Sequence, residues 1–237
     1  MIFSRLVAVN VRSPREQVTN RTASKKERFM IPFFGNNSNK ESETLEVRIY
    51  GDPVLREKAK TVEEVTPEIR ELAEQMCVTM LDEESRGIGL AAPQIGVSLR
   101  MLTIDTRDDT EALPPNASPG ECLLLPRMPL ALLNPDVVWQ SPQAVSYSEG
   151  CLSIPEIFGD VTRPISIVIH ATTLDGEAIN VECGGLLARC LQHELDHLNG
   201  VLFVDRVDED ERAELEPQLK KLEKLALRRL RKRKNQA

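Results

Sequence analysis

The sequence predicts an α+β domain, and three observations carry that prediction. Several short strand-like segments come before the main helix instead of alternating with helices, which argues against repeated βαβ units. Two apolar runs around Asp175-Gly176 read as a β-hairpin. An amphipathic helix closes the chain, and no internal repeat points to a solenoid or array.

In chain order, residues 1–43 show no sustained hydrophobic period and end in the polar, turn-rich run G-N-N-S-N-K-E-S-E-T. This segment reads as a disordered extension. It is Arg-rich and poor in acids, in the manner of an organellar transit peptide. A dispensable extension, or a true start at Met30, are the plainer readings. From Leu45, L-E-V-R-I-Y predicts a short strand and G-D-P a turn. Thr66-Pro67 is a helix start, with a hydroxyl cap and proline at the first position. Ile69, Leu72, Met76 and Met80 follow at helical spacing.

Leu99 to Asp105 predicts a strand. Asp108 to Pro129 contains five prolines and is expected to be a loop or insertion. Ala131 to Trp139 is strand-like. Ile165, Ile167 and Ile169 alternate with Ser166, Val168 and His170, the pattern of a half-buried strand. His170 is expected to be structural. Ala178 to Cys183 forms the second arm of the hairpin. Gly184-Gly185 opens a helix and Asn199-Gly200 closes it. Beyond Pro217, Leu219, Leu222, Ala226 and Leu230 predict the last helix. The expected division is an extension over 1–43, a functional domain over 44–210, and a C-terminal helix with a basic tail over 211–237.

Composition narrows the function classes. The chain has 237 residues, of which 41% are hydrophobic and 28% charged, which suits a globular protein with a real core. No apolar run approaches the roughly 18 residues of a bilayer span, which excludes a helical membrane protein. The net charge of −7 argues against nucleic-acid binding by the chain as a whole. Charge is uneven, however: Arg228 to Lys234 holds six basic residues in seven positions. Five cysteines without a secretory signal argue against a disulfide framework. Free thiols are then available as metal ligands or nucleophiles.

The helix between the glycine pairs carries the chemistry. At about 100° per residue, Leu186, Cys190, His193 and His197 fall in a narrow arc. Leu187, Leu191, Glu194 and Leu198 adjoin it, leaving only Arg189, Gln192, Asp196 and Asn199 on a polar face. The helix should therefore be largely buried. Histidines at i and i+4 can reach one metal ion, and a Glu beside the first can touch a metal-bound water. Spacing leaves the third ligand open. A third His one turn and a loop further on would be position 203, which is Phe203. Glu214, Glu216 and Cys151 remain. The glycine-rich run Arg86 to Gly96 lacks the Lys-Ser/Thr of a phosphate loop. Gly87 and Gly89 suit a close approach of backbone to ligand, Gln94 offers an amide donor, and an ordinary turn is the plainer reading.

Three segments, Gly87-Ile-Gly-Leu-Ala-Ala-Pro-Gln94, Glu149-Gly-Cys-Leu-Ser153 and His193-Glu-Leu-Asp-His197, together resemble the peptide deformylase family. Gly51-Asp-Pro-Val-Leu55 is similar to the family's N-terminal strand and turn, and the likeness runs from about Leu45 to Asp208. The resemblance implies antiparallel strands packed around the H-E-x-D-H helix. It implies hydrolytic removal of formyl from the formyl-methionine of nascent polypeptides, by metal-bound hydroxide. It selects Cys151 as third ligand with His193 and His197, and leaves a fourth position for water. Glu194 would be the general base and acid, and Gln94 and the Leu152 backbone N–H would hold the oxyanion.

Gly89 would let substrate backbone add as a strand. Ile88, Leu186 and Cys190 would line the methionine pocket. Iron(II) is implied as the usual metal, with nickel or cobalt as substitutes, and the donor set also suits zinc. Glu149 is a candidate partner of a ligand, and Asp196 a candidate partner of Arg163. The basic tail suggests docking near ribosomal RNA. The expected compartment is the bacterial cytoplasm, or an organelle if residues 1–43 are a transit peptide, with no membrane partner.

Overall fold

The computed structural model describes residues 44–82, 87–107 and 112–236. The expectations for residues 1–43 lie outside the described residues. Residues 44–49 are extended but form no strand, against expectation. Their backbone bonds go to two different segments, not to one ladder. Arg48 N–H donates to the Gln94 carbonyl at 2.6 Å, and Tyr50 N–H to the Ser153 carbonyl at 2.8 Å.

Helix α1 (Pro67–Leu81) starts as expected, with the Thr66 hydroxyl accepting from the Ile69 N–H. It buries Ala73, Met76, Cys77 and Met80. Strands β1 (Gly89–Ala91) and β2 (Met101–Ile104) follow. The proline-rich stretch is not merely a loop: it contains the short helix α2 (Pro119–Leu124). The reason is a capping box. The Ser118 hydroxyl accepts from the Glu121 N–H, and the Glu121 carboxylate accepts from the Ser118 N–H. Pro119 at the first position loses no helical hydrogen bond.

Then come β3 (Leu130–Gln140), β4 (Ala144–Cys151), β5 (Ile154–Pro164), β6 (Ser166–Thr173) and β7 (Ala178–Gly184). Helix α3 (Gly185–Leu198) carries the two histidines, and α4 (Glu209–Gln236) ends the chain.

Five strands form one sheet in the order β1-β2-β3-β6-β7, and β4 and β5 form a separate two-stranded sheet. All of these pairings are antiparallel. The central strands of the larger sheet are buried on both faces, by the period of two along a strand. Leu102, Ile104, Leu130 and Leu132 face Leu187, Leu191, Leu195 and Leu198 of α3. The alternate residues Met101, Ala131 and Leu133 pack with Met76 and Met80 of α1. A third cluster joins the small sheet to α4, with Cys151, Ile154, Ile157 and Val161 against Phe203, Leu215 and Leu219.

Helix α4 begins at Glu209 and contains Pro217. An interior proline costs about 3 kcal/mol through its missing N–H and its ring. Leu215 and Leu219, on either side of it, are buried in the third cluster and offset that cost. At the far end, Arg233 pairs with Glu46 and Asp52, and Arg229 with Glu46. Two of the tail cations are thus engaged by the extended N-terminal segment.

Candidate active site

Helix α3 is buried nearly throughout, including its polar residues. Its one-turn spacing brings His193 and His197 to ring centroids 5.0 Å apart. Cys151 ends β4 at the turn into β5 and meets them there. Its Sγ lies 3.2 Å from His197 Nε2, and one ligand atom from each of Cys151, His193 and His197 falls within 4.8 Å of the others. Among the described residues this is the group able to hold a metal ion, and neither Glu214 nor Glu216 belongs to it. Glu216 instead pairs with Arg212 and Lys220 along α4.

The donor set fits a divalent cation: one thiol and two imidazoles, all buried. Beside it, Glu194 Oε2 and His197 Nδ1 are buried without a protein partner. A buried carboxylate oxygen left this way is costly unless something polar reaches it. Burial raises the Glu194 carboxyl to about 7, against opposing charge from His193 and Arg163. Burial, and then the charge of His193, push His197 well below the usual histidine range. Desolvation opposes the charged form of His193 too, but the hydrogen bonds it donates to Cys151 and Glu149 outweigh it and raise His193. A bound cation would take the place of that proton.

Gly89 lies on β1, an edge strand of the larger sheet. A Cβ there would come within 2.4 Å of Glu194 Oε1 and 2.9 Å of Cys190 Sγ. The position must be glycine because the Glu194 carboxylate occupies that space. Gln94 is buried, and its orientation is set. Its Oε1 accepts from the Ala91 N–H at 2.7 Å, which turns Nε2 toward Cys151 Sγ (3.4 Å) and Ser153 Oγ (3.3 Å). Cys190 is fully buried with Sγ 3.4 Å from the Ile88 carbonyl, while Ile88 and Leu186 are partly exposed. Leu152 follows Cys151 in the turn and is also partly exposed. His170 is exposed on β6, opposite Asn180, and belongs to a different part of the sheet.

The three motifs, separate in sequence, thus meet at one buried spot. A family model described as polypeptide deformylase matches residues 44–213. The chain belongs to that family. "Peptide deformylase" of Agrobacterium fabrum is 44% identical over 159 residues, covering 67% of this chain and 84% of the relative. "Peptide deformylase 2" of Gloeobacter violaceus is 43% identical over 164 residues, covering 69% and 79%. Among solved structures, a Synechococcus elongatus peptide deformylase in complex with actinonin is 40% identical. It matches with a TM-score of 0.62 over 75% of this chain and 86% of that one. The Ehrlichia chaffeensis enzyme matches with a TM-score of 0.66 at 32% identity, over 78% and 99%. This deformylase is a metal-binding hydrolase that removes N-terminal formyl groups from new polypeptides.

Behind the Cys151–His193–His197 group of the deformylase lies a buried ionic network. Glu149 is fully buried and its Oε2 accepts from His193 Nδ1 at 3.0 Å. Arg163 binds both Glu149 oxygens, at 2.6 and 2.8 Å, and reaches Asp196 at 2.8 Å. Arg206 binds Asp196 from the other side. Asp196 is therefore an interior ion-pair partner, and the polar face of α3 does not face solvent. Sequence reasoning missed Arg189 and Arg206. Arg189 donates to Glu149 Oε1 at 2.6 Å and to the carbonyls of Val161 (2.9 Å) and Val145 (2.7 Å). Its signal was present, an arginine one turn before His193 on the narrow polar face of a helix expected to be largely buried.

Proposed function

We propose that this deformylase acts on the N-formyl-methionyl ends of nascent chains, with Cys151, His193 and His197 holding one divalent metal ion. The observation that carries this reading is the convergence of those three ligand atoms beside the buried, unpartnered Glu194 Oε2. When bound, the ion supplies Lewis acidity and lowers the pKa of a coordinated water. Iron(II) is the proposed native metal, with nickel, cobalt or zinc able to occupy the same thiolate and imidazole donors.

Glu149 keeps a proton on His193 Nδ1, so that Nε2 is free to act as a ligand. Glu194 takes the proton of the attacking water and returns it to the departing amine. A carboxyl that burial raises to about 7 suits that exchange, because it can hold or give up a proton near neutral pH. Gln94 Nε2 and the Leu152 N–H donate to the oxygen of the attacked formyl carbonyl as it gains charge. Both stand beside Cys151, and the amide of Gln94 is already oriented by Ala91.

The edge of β1 away from β2 accepts the substrate backbone as an added strand at Gly89. Ile88, Leu186 and Cys190 line the pocket for the methionine side chain. The functional unit is residues 44–210, with the α4 segment 211–237 as its buttress and tail and 1–43 as an extension. Among the described residues no helix is long and apolar enough to cross a membrane. The proposed compartment is the bacterial cytoplasm, with an organelle as the alternative if 1–43 is a transit peptide. Arg228, Arg231, Lys232 and Lys234 are exposed at the end of α4, and they form the proposed contact with ribosomal RNA.

Release of formate from formyl-Met-Ala-Ser by protein purified without oxygen, with metal analysis in parallel, tests the reading. Formate release that is lost in Glu194→Ala with metal retained supports it. No formate from metal-loaded wild type overturns it.

A further inference from the structure

Cys151 and the histidine pair belong to different layers. The histidines ride on α3, which is locked to the five-stranded sheet by the main core. Cys151 ends β4, and the β4–β5 hairpin shares no backbone ladder with that sheet. A two-stranded hairpin is marginal by itself. At its root the hairpin is joined to β3 and β6 by two backbone bonds, Ser141 N–H to the Ser166 carbonyl and Ile165 N–H to the Gln143 carbonyl, and along its length side chains hold it against α3.

Those side chains form one line. Arg189, Gln192 and Asp196 recur at i, i+3 and i+7 on α3, and they are only 5%, 9% and 7% exposed. Each is bonded to the hairpin. Arg189 reaches Glu149 and the Val145 carbonyl on β4 and the Val161 carbonyl on β5. Gln192 Nε2 donates to the Pro164 carbonyl at 3.1 Å. Asp196 accepts from Arg163 of β5 at 2.8 Å. Arg189 alone grips both strands and the carboxylate that orients His193, and its guanidinium lies 5.0 Å from the Tyr147 ring centroid. Its planar fork suits several fixed acceptors at once, which an ammonium does not.

We propose that Arg189 is a positioning residue that sets the distance between Cys151 and the His193–His197 pair by riveting the β4–β5 hairpin to the polar face of α3. The proposal rests on the reading that these three residues are the metal ligands. It assigns Arg189 no contact with substrate. Two positions are joined through it: Cys151, through the hairpin backbone, and the His193 ring, through Glu149.

The test uses whole protein loaded with cobalt(II) in the absence of oxygen. Two properties are read: the thiolate-to-cobalt absorption band, and the rate at which a chelator strips the ion. In Arg189→Met, the ion is expected to leave about tenfold faster or more, the range usual for partners of metal ligands, with a weakened or shifted band. Arg189→Lys keeps a charge beside Glu149 but cannot fork to both carbonyls, so it falls between. Met76→Ala, a cavity in the α1 cluster, lowers the melting temperature and leaves the band and stripping rate at wild-type values.

A wild-type band and stripping rate in both Arg189 variants overturns the proposal. So does a Met76→Ala protein that changes as much as they do, because the effect is then general instability. If Arg189→Met does not fold, Arg189→Lys and Gln192→Ala decide: faster stripping in both supports the rivet line, and wild-type behaviour in both overturns it. Wild type that loads cobalt without a thiolate band removes Cys151 as a ligand, and the proposal with it. A wild-type band with unmoved Arg189 variants removes the proposal alone.

Discussion

The two halves of the active site are held by different physics. On one side, α3 lies on the five-stranded sheet, and its histidines are placed by close-packed leucines and isoleucines. On the other, the β4–β5 hairpin and α4 meet in a smaller cluster, and the hairpin is tied to α3 by buried ion pairs and side-chain-to-carbonyl bonds. Apolar packing is non-directional and tolerates small shifts. Charged hydrogen bonds are directional and fix an angle. A metal needs ligands at defined distances, so the seam between two separately built layers is where directional bonds are concentrated.

The largest expected effects come from cutting the seam itself. His197→Ala and Cys151→Ala should each abolish formate release and stoichiometric metal. Glu194→Gln should keep the metal and lose about 10²–10⁴ in kcat, the usual worth of a proton-transfer group. Metal analysis beside the formate assay separates the two outcomes, and metal loss in Glu194→Gln would blur the distinction between ligand and base.

Next is the network behind the seam. Glu149→Gln leaves Arg189 buried without its counter-charge and Arg163 with Asp196 alone, and should cost about 3–5 kcal/mol in urea unfolding. Burial alone would raise the Glu149 carboxyl, but Arg163 and His193 more than offset it and hold it well below the usual carboxylate range. A depressed folded value means that its stabilisation is complete above the unfolded value of about 4.3. It is lost as pH falls from there through the folded value. Acid unfolding of metal-free protein should therefore show a weaker pH dependence below about pH 4 in Glu149→Gln than in wild type. Equal slopes would place the acid sensitivity elsewhere.

Core cavities sharpen the comparison further. Leu132→Ala in the main core and Leu219→Ala in the α4 cluster should each cost about 2–5 kcal/mol. They should differ in metal retention. Leu219 shares its cluster with Cys151, and Leu132 does not. Faster chelator stripping is expected in Leu219→Ala, and equal stripping would make the two halves energetically one.

The smallest effect is at the tail. Deleting residues 228–237 removes the Arg229 and Arg233 pairs with Glu46, worth about 0–1 kcal/mol each at the surface, and the part-buried Arg233 pair with Asp52. Thermal melting should barely move, whereas ribosome pelleting at low salt should weaken. Unchanged pelleting would remove the proposed RNA contact.

Much of this was legible in local spacing. The helical period placed His193, His197 and Glu194 together, and the alternation of Ile167 and Ile169 predicted a buried strand face that the structure contains. One element was misjudged because one local signal was weighed over another. Five prolines suggested a loop where the Ser118–Glu121 capping box starts a helix. Residues 44–49 have a strand's composition, but their bonding partners are two remote turns, which no local pattern reveals.

Periodicity and motif spacing by themselves determined that His193, His197 and Glu194 share one region of a largely buried helix, since all three lie within two turns and depend only on the 3.6-residue repeat. The third member of the candidate metal group was a different matter: spacing left Cys151, Glu214 and Glu216 open. Only the tertiary structure brought Cys151 to 3.2 Å from His197, and only it turned Arg189, Gln192 and Asp196 from an apparent solvent face into an interior seam. A polar side chain reads as exposed until its partner is known, and here the partners lie 28 to 44 residues away along the chain.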